Sequence, residues 1–444
     1  MGTPILDMLK RYSERDILRL HMPAHKGRLD KNDITEVEGA DSLFDASGII
    51  KESEENASRI FGAHSFYSTE GSSLSIRAAV YLTTRYAAEC GKKPLILATR
   101  NVHRSFVSAL ALCDCAVEWM LPEKGGSYLS CPVTRDEVQR RISEANPTAV
   151  YLTSPDYLGK VADVEGIAEV CRKAGVLLIV DNAHGAYLKF LEPSRHPLDL
   201  GADICCDSAH KTLEVLGGGA YLHVSKSAPK FFRDNAKEAM ALFASTSPSY
   251  LILASLDGVN ARLEGDFGNT LTTFVDKIED FKSNLLAIGY KNVSDEPLKI
   301  TIDAKGYGYS GRALADELLK SDIVCEFSDR DYLVMMLSPY MTDGELKRLF
   351  DAFLNVPRRN VIEDTPLPYT LPERVISPRE AVFSPSEWLP IDKCLGRILA
   401  SVTVACPPAV PIIVSGERID ENTVRVAGYY GTEGFSVIKE RSSS

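Results

Sequence analysis

Short apolar runs alternating with helical stretches between about residues 50 and 225 predict an α/β fold built on a largely parallel sheet. The apolar runs have the length of strands, and one of the stretches between them, Val164–Ala174, is followed by the helix-stop residue Gly175. The two residues with the most suggestive chemistry, Asp181 and Lys211, each follow an apolar run closely. Open α/β sheets bind their ligands at the carboxyl ends of the strands.

Taken in order, residues 1–45 read as an N-terminal arm. Met1–Lys10 lacks the charged-then-apolar pattern of a signal peptide. Gly2 opens a myristoylation-like start, but Leu6 stands where Ser or Thr is needed. Residues 46–265 form the expected large domain. Its predicted strands are Leu95–Thr99, Ala116–Leu121, Ala149–Thr153, Val176–Val180, Asp203–Cys206 and Gly219–Val224, and its helices include Leu74–Ala88, Arg104–Leu112, Thr134–Glu144 and Val164–Ala174. Residues 235–290 read as helical and lead out of this core. A β-α-β-α pattern then predicts a small α/β domain over 266–364, from Leu298–Asp303, Gly311–Lys320, Tyr332–Leu337 and Asp343–Phe353. The proline-rich stretch Thr365–Pro378 reads as a linker into a C-terminal domain, 365–444, that ends in the serine tail Ser442–Ser444.

Composition narrows the function. Of 444 residues, 45% are apolar and 25% charged, which excludes a disordered chain, and no apolar run approaches the ~20 residues of a membrane span. With 50 Lys and Arg against 61 Asp and Glu, the net charge of −11 disfavours nucleic acid as a partner. The ten cysteines form no C-x-x-C pair, so neither a zinc site nor a disulfide framework is expected, and the compartment reads as reducing cytoplasm. His21 and His25 have helical i, i+4 spacing, but Pro23 between them argues against a helical metal site. Gly217–Gly219 is too short for a dinucleotide fingerprint.

The chemistry concentrates at strand ends. In Asp207-Ser208-Ala209-His210-Lys211-Thr212, a lysine flanked by a hydroxyl and an imidazole suits an amine that forms a Schiff base; alone it could equally be a solvated loop lysine. Val176–Val180 runs into Asp181, followed by Asn182-Ala183-His184-Gly185. A strand-end aspartate in that place can keep a pyridine nitrogen protonated, or simply cap a turn. Thr69-Glu70-Gly71-Ser72-Ser73 precedes a helix and offers amides and hydroxyls to a phosphate. His103, after the first predicted strand, can stack on a flat ring or move a proton. Aspartate, then lysine, at successive strand ends is more specific than either alone and points to pyridoxal phosphate.

These residues sit in a longer pattern. His21-Met-Pro-Ala-His25-Lys26-Gly27, Thr35-Glu-Val-Glu-Gly-Ala-Asp41-Ser-Leu43, Ser154-Pro155-Asp156-Tyr157-Leu-Gly159, the Ser208-Ala-His210-Lys211 block and Cys406-Pro407-Pro408-Ala409-Val410-Pro411 with Gly416-Glu417 all have counterparts in one family. The chain resembles the Orn/Lys/Arg decarboxylases, fold type I pyridoxal-phosphate enzymes of the aspartate-aminotransferase superfamily. The resemblance implies Lys211 as the Schiff-base lysine, Asp181 on the ring nitrogen and His103 on the ring face. It also implies Gly71, Ser72, Ser208 and His210 around the phosphate, with Ala183 and His184 near the ring oxygen. Lys211 and His103 are both candidate proton donors.

Departures cluster on the substrate side: Glu70 in the cradle, Ala24, Asp156, Cys406 and Ala409 each replace the family's usual residue. The implied reaction is decarboxylation of arginine, lysine or ornithine to a polyamine or its precursor, with carbon dioxide released. The alternative is another pyridoxal-phosphate reaction (aminotransferase, racemase or lyase) on an unusual amino acid. The resemblance further implies a homodimer with a shared active site, or a higher homo-oligomer, without the N-terminal wing domain of longer members. Glu36, Asp41 and Glu417 are its candidate ligands for the substrate's distal cation.

Overall fold

Seven strands form the main sheet: β1 (His64–Ser68), β2 (Leu95–Thr99), β3 (Ala116–Met120), β4 (Ala149–Thr153), β5 (Leu177–Asp181), β6 (Ile204–Asp207) and β7 (Ala220–Val224), in the order β1-β7-β6-β5-β4-β2-β3. They come from a computed structural model that describes residues 2–121, 126–402, 404 and 406–440; the serine tail Ser442–Ser444 lies outside these. Strands β4, β5 and β6 run parallel. Every residue of β5, β6 and β7 is buried, as expected of strands covered on both faces, and this is why they read as largely apolar runs, broken only by Asp181, Asp207 and His223.

The sheet departs from the expected pattern at one edge. Strand β7 pairs antiparallel with β6, and β1 antiparallel with β7. Only one helical turn, Ala209–Thr212, lies between β6 and β7, so the chain reverses instead of crossing over. Strand β1 reads His-Ser-Phe-Tyr-Ser, without an apolar run, and so escapes a search for one. Strand β5 begins one residue later than expected and includes Asp181 as its last residue; in the parallel register Asp181 sits opposite Cys206. Helix Val164–Ala174 is capped by Asp163, which accepts the Gly166 amide, and stops at Gly175 with φ +67°.

The chain folds as two compact units. The first comprises Met1–Leu97, Arg135–Ser154 and Asp163–Thr270. Its N-terminal helix Pro4–Ser13 is anchored by Asp257, whose Oδ2 accepts the Ile5 and Leu6 amides at 2.9 and 3.0 Å while Oδ1 accepts Ser53 Oγ. The second comprises Ala98–Thr134, Pro155–Ala162 and Leu271–Ser444. It holds an antiparallel sheet of β8 (Lys291–Asn292), β9 (Lys299–Asp303), β10 (Phe327–Ser328) and β11 (Tyr332–Met336) in the order β10-β11-β9-β8. Helices Gly311–Leu319 and Asp343–Leu354 accompany it, the latter started by a Thr342/Glu345 capping box. After residues 357–372, which carry no regular element, a third sheet runs β12-β14-β13 from β12 (Ser386–Pro390), β13 (Leu399–Ser401) and β14 (Gly434–Ile438).

Candidate active site

Four short segments of the first unit converge at one end of β5, β6 and β7. The β6 strand hands over to Ser208 and the single helical turn that carries Lys211; β5 ends on Asp181 and continues into the Asn182–Gly185 turn. Neighbouring parallel strands in register place these two turns side by side, and Lys211 Nζ lies 3.0 Å from His184 Nε2. Asp181 accepts the Ala183 amide on Oδ1 and the Tyr151 hydroxyl on Oδ2, both at 3.2 Å. Burial pushes its carboxyl up to about 6, against the pull of Lys211 and these two hydrogen bonds. A carboxylate held that deep favours any cation brought against it.

The turn between β1 and helix Ser72–Glu89 closes the site. Ser208 Oγ donates to Ser72 Oγ at 2.8 Å. A Cβ built on Gly71 would meet His210 Cε1 at 3.9 Å, so that imidazole lies against the turn. The helix start has no side-chain cap and no acid in its first turn, which leaves its positive end open to an anion. Two hydroxyls, an imidazole and an uncapped helix of this length fit a phosphate. Glu70, the charge that would oppose one, accepts the Ser245 amide at 2.6 Å.

The glycine run holds these turns together. Gly71 N–H donates to the Gly218 carbonyl at 2.7 Å, and the His210 backbone N–H and ring Nδ1–H both donate to the Gly219 carbonyl. Gly218 has φ +98°, and a Cβ there would stand 2.8 Å from the Thr69 carbonyl oxygen; only glycine permits that approach.

Lys211, Asp181, Ala183, His184, Gly71, Ser72, Ser208 and His210 thus lie in one neighbourhood of the first unit. His103 lies in the second unit, where it caps helix Arg104–Cys113: its Nδ1 accepts the Ser105 amide at 3.2 Å. Two of the candidate distal-cation acids are committed elsewhere. Asp41 accepts the amides of Ser42, Ser47, Gly48 and Ile50. Glu417 is buried against Arg100, 3.1 Å away, and accepts the Val414 amide. Glu36 is exposed. His25 pairs with Asp33 and His21 with the Tyr12 hydroxyl. Sequence reasoning missed Tyr151, Asn182 and the Lys211–His184 contact; their only signal would have been the strand register.

A mostly parallel α/β sheet with an aspartate at the end of one strand and a lysine beyond the end of its neighbour is the architecture of the fold type I class. The structure of lysine decarboxylase LdcF from Francisella novicida shares the fold, with a TM-score of 0.80 at 19% identity over 98% of this chain and 81% of that one. Residues 27–295 match the model of the Orn/Lys/Arg decarboxylase major domain and residues 364–433 that of its C-terminal domain. The chain belongs to the Orn/Lys/Arg decarboxylase family. Relatives from Bacillus subtilis extend the match over the whole length. The uncharacterized protein YaaO is 30% identical, over 96% of this chain and 93% of that protein. An arginine decarboxylase is 28% identical, over 95% and 92%. Among the described residues, no helix is long and apolar enough to cross a membrane.

Proposed function

We propose that the protein decarboxylates a basic amino acid with pyridoxal phosphate, giving carbon dioxide and a polyamine or its precursor. The observation that carries this reading is the buried strand-end Asp181 beside the turn that brings Lys211 within 3.0 Å of His184. When bound, the cofactor supplies an electron sink for the charge left as the carboxylate departs. The chain's residues hold and orient it. Lys211 is the point of covalent attachment, and Asp181 keeps a proton on the ring nitrogen. Ala183 and His184 would serve the ring oxygen, while Gly71, Ser72, Ser208, His210 and the helix start would hold the phosphate. His184 also fixes the direction of the Lys211 amine. His103 is assigned to the ring face, with Nδ1 committed to its helix cap. Lys211 and His103 are the candidates to return a proton.

The whole-length match to an arginine decarboxylase makes arginine the first substrate to test, before lysine and ornithine. Purified protein supplied with pyridoxal phosphate should release carbon dioxide and the matching amine from one of the three. A keto-acid product without carbon dioxide would overturn the reading. Ten cysteines without a C-x-x-C pair support a cytoplasmic setting. Assembly as a homodimer with a shared active site belongs to the same reading, and light scattering of the purified protein tests it.

A further inference from the structure

The residue just before Ser208 is a fully buried carboxylate with more partners than a strand end needs. Asp207 Oδ2 lies 2.9 Å from His196 Nε2 and 3.4 Å from His223 Nε2. Its Oδ1 accepts Asn182 Nδ2 at 2.8 Å and the Cys205 thiol at 3.2 Å. All four partners are buried. Two imidazoles and a carboxylate this close together also resemble a metal-ligand set. Hydrogen bonding decides against one: the Leu198 amide donates to His196 Nδ1 at 3.3 Å, so the ring proton is on Nε2 and points at Asp207. A metal on that nitrogen would need the proton moved to Nδ1, where the Leu198 amide already donates. The cluster is an anion clamped by imidazoles.

We propose that Asp207 is a positioning residue of the cofactor site: it tethers the turn that carries His184, and it sets a fixed negative charge behind Asp181. The proposal rests on the pyridoxal-phosphate reading above. The tether is direct. Asn182 follows Asp181, its side-chain Oδ1 has no partner among the described residues, and its Nδ2 is held by Asp207. The Asn182 carbonyl accepts the Gly185 amide, closing the turn from which His184 reaches Lys211. The charge is equally local. The ionisable groups around Asp207 are His196 from the loop before β6, Cys205 on its own face of β6, and Tyr221 and His223 from β7; Cys206 and Asp181, in register with each other across β6 and β5, also feel its charge, and Lys189 acts on His223. Burial opposes ionisation of Asp207, but the two imidazoles outweigh it and hold its carboxyl well below the usual range. Its charge in turn raises the proton affinity of Asp181.

Two variants separate the tether from the charge. The readouts are the dissociation constant for added pyridoxal phosphate and the pH midpoint at which the bound cofactor's visible band changes. Asn182→Ala should weaken cofactor binding by about tenfold, the cost of one charge-assisted hydrogen bond, and leave the midpoint in place. Asp207→Asn should lower the midpoint by on the order of one pH unit, because a nearby anion favours the protonated form. A side chain that only supports the fold would not move that midpoint. Wild-type affinity in Asn182→Ala overturns the proposal, and does so even where Asp207→Asn fails to accumulate. A folded Asp207→Asn with an unmoved midpoint also overturns it. Wild-type protein that binds no pyridoxal phosphate overturns the cofactor reading itself.

Discussion

Replacing Asp181 by asparagine should stabilise the cofactor-free protein while disabling the loaded one. Asp181 is 2% exposed, and burial lifts its carboxyl from 3.8 to about 6. Between these values the unfolded chain has released the proton while the folded chain still holds it. Stability is therefore fully present below about pH 4, falls as pH rises through about 6, and stays lower beyond. At ~1.4 kcal/mol per unit, a shift of about two units amounts to roughly 3 kcal/mol at pH 8. Asparagine is neutral throughout. Its carbonyl oxygen can accept the Ala183 amide, and the Tyr151 hydroxyl can turn to accept its amide proton.

Denaturant unfolding of cofactor-free Asp181→Asn and wild type from pH 4 to 8 checks this. The variant should gain about 2–3 kcal/mol at pH 8 and close to nothing near pH 4. With pyridoxal phosphate added the order reverses, because the wild type gains an ion pair that the variant cannot form. Losing a buried pair of about 3–5 kcal/mol corresponds to a fall of roughly 10²–10⁴ in decarboxylation rate. Equal stabilities at pH 8, or a difference that ignores pH, would refute the account of Asp181.

Three further outcomes follow from the same structure. Lys211→Ala should lose the covalently held cofactor, seen by mass spectrometry after borohydride reduction, and at least about 10³-fold of activity. Gly218→Ala forces a Cβ to within 2.8 Å of the Thr69 carbonyl at a positive φ. It should cost about 1–3 kcal/mol in denaturant unfolding and weaken cofactor binding, because that glycine joins the Gly71 turn to the Lys211 turn. Arg100 is 4% exposed and bonds the Pro411 and Ile412 carbonyls as well as Glu417. Arg100→Met takes the guanidinium away from the buried Glu417 and leaves it the Val414 amide, so thermal unfolding should report a loss of about 3–5 kcal/mol. Adding Glu417→Leu should recover part of it.

What the sequence by itself determined is the fold class and the family; it also singled out Asp181 and Lys211, the two residues proposed for the centre of the site. Strands buried on both faces must be apolar along their length, so β4, β5 and β6 are visible as runs, and a charged residue closing such a run must lie at its end. Asp181 is found in this way, and Lys211 from the hydroxyl-imidazole-lysine block after the next run. The half-polar strand β1 carries no such constraint, and its place beside β7 is settled only by pairing. Tertiary structure alone decided who neighbours whom. The Lys211–His184 contact, the Tyr151–Asp181 bond and the Asp207 clamp all depend on strand register, a relation between segments distant in sequence. It also showed that Asp41 and Glu417, candidates for the distal cation, already hold backbone amides and, for Glu417, the Arg100 guanidinium. A carboxylate is identical on the page whether it faces solvent, four backbone amides or a buried guanidinium, and only the packing around it says which.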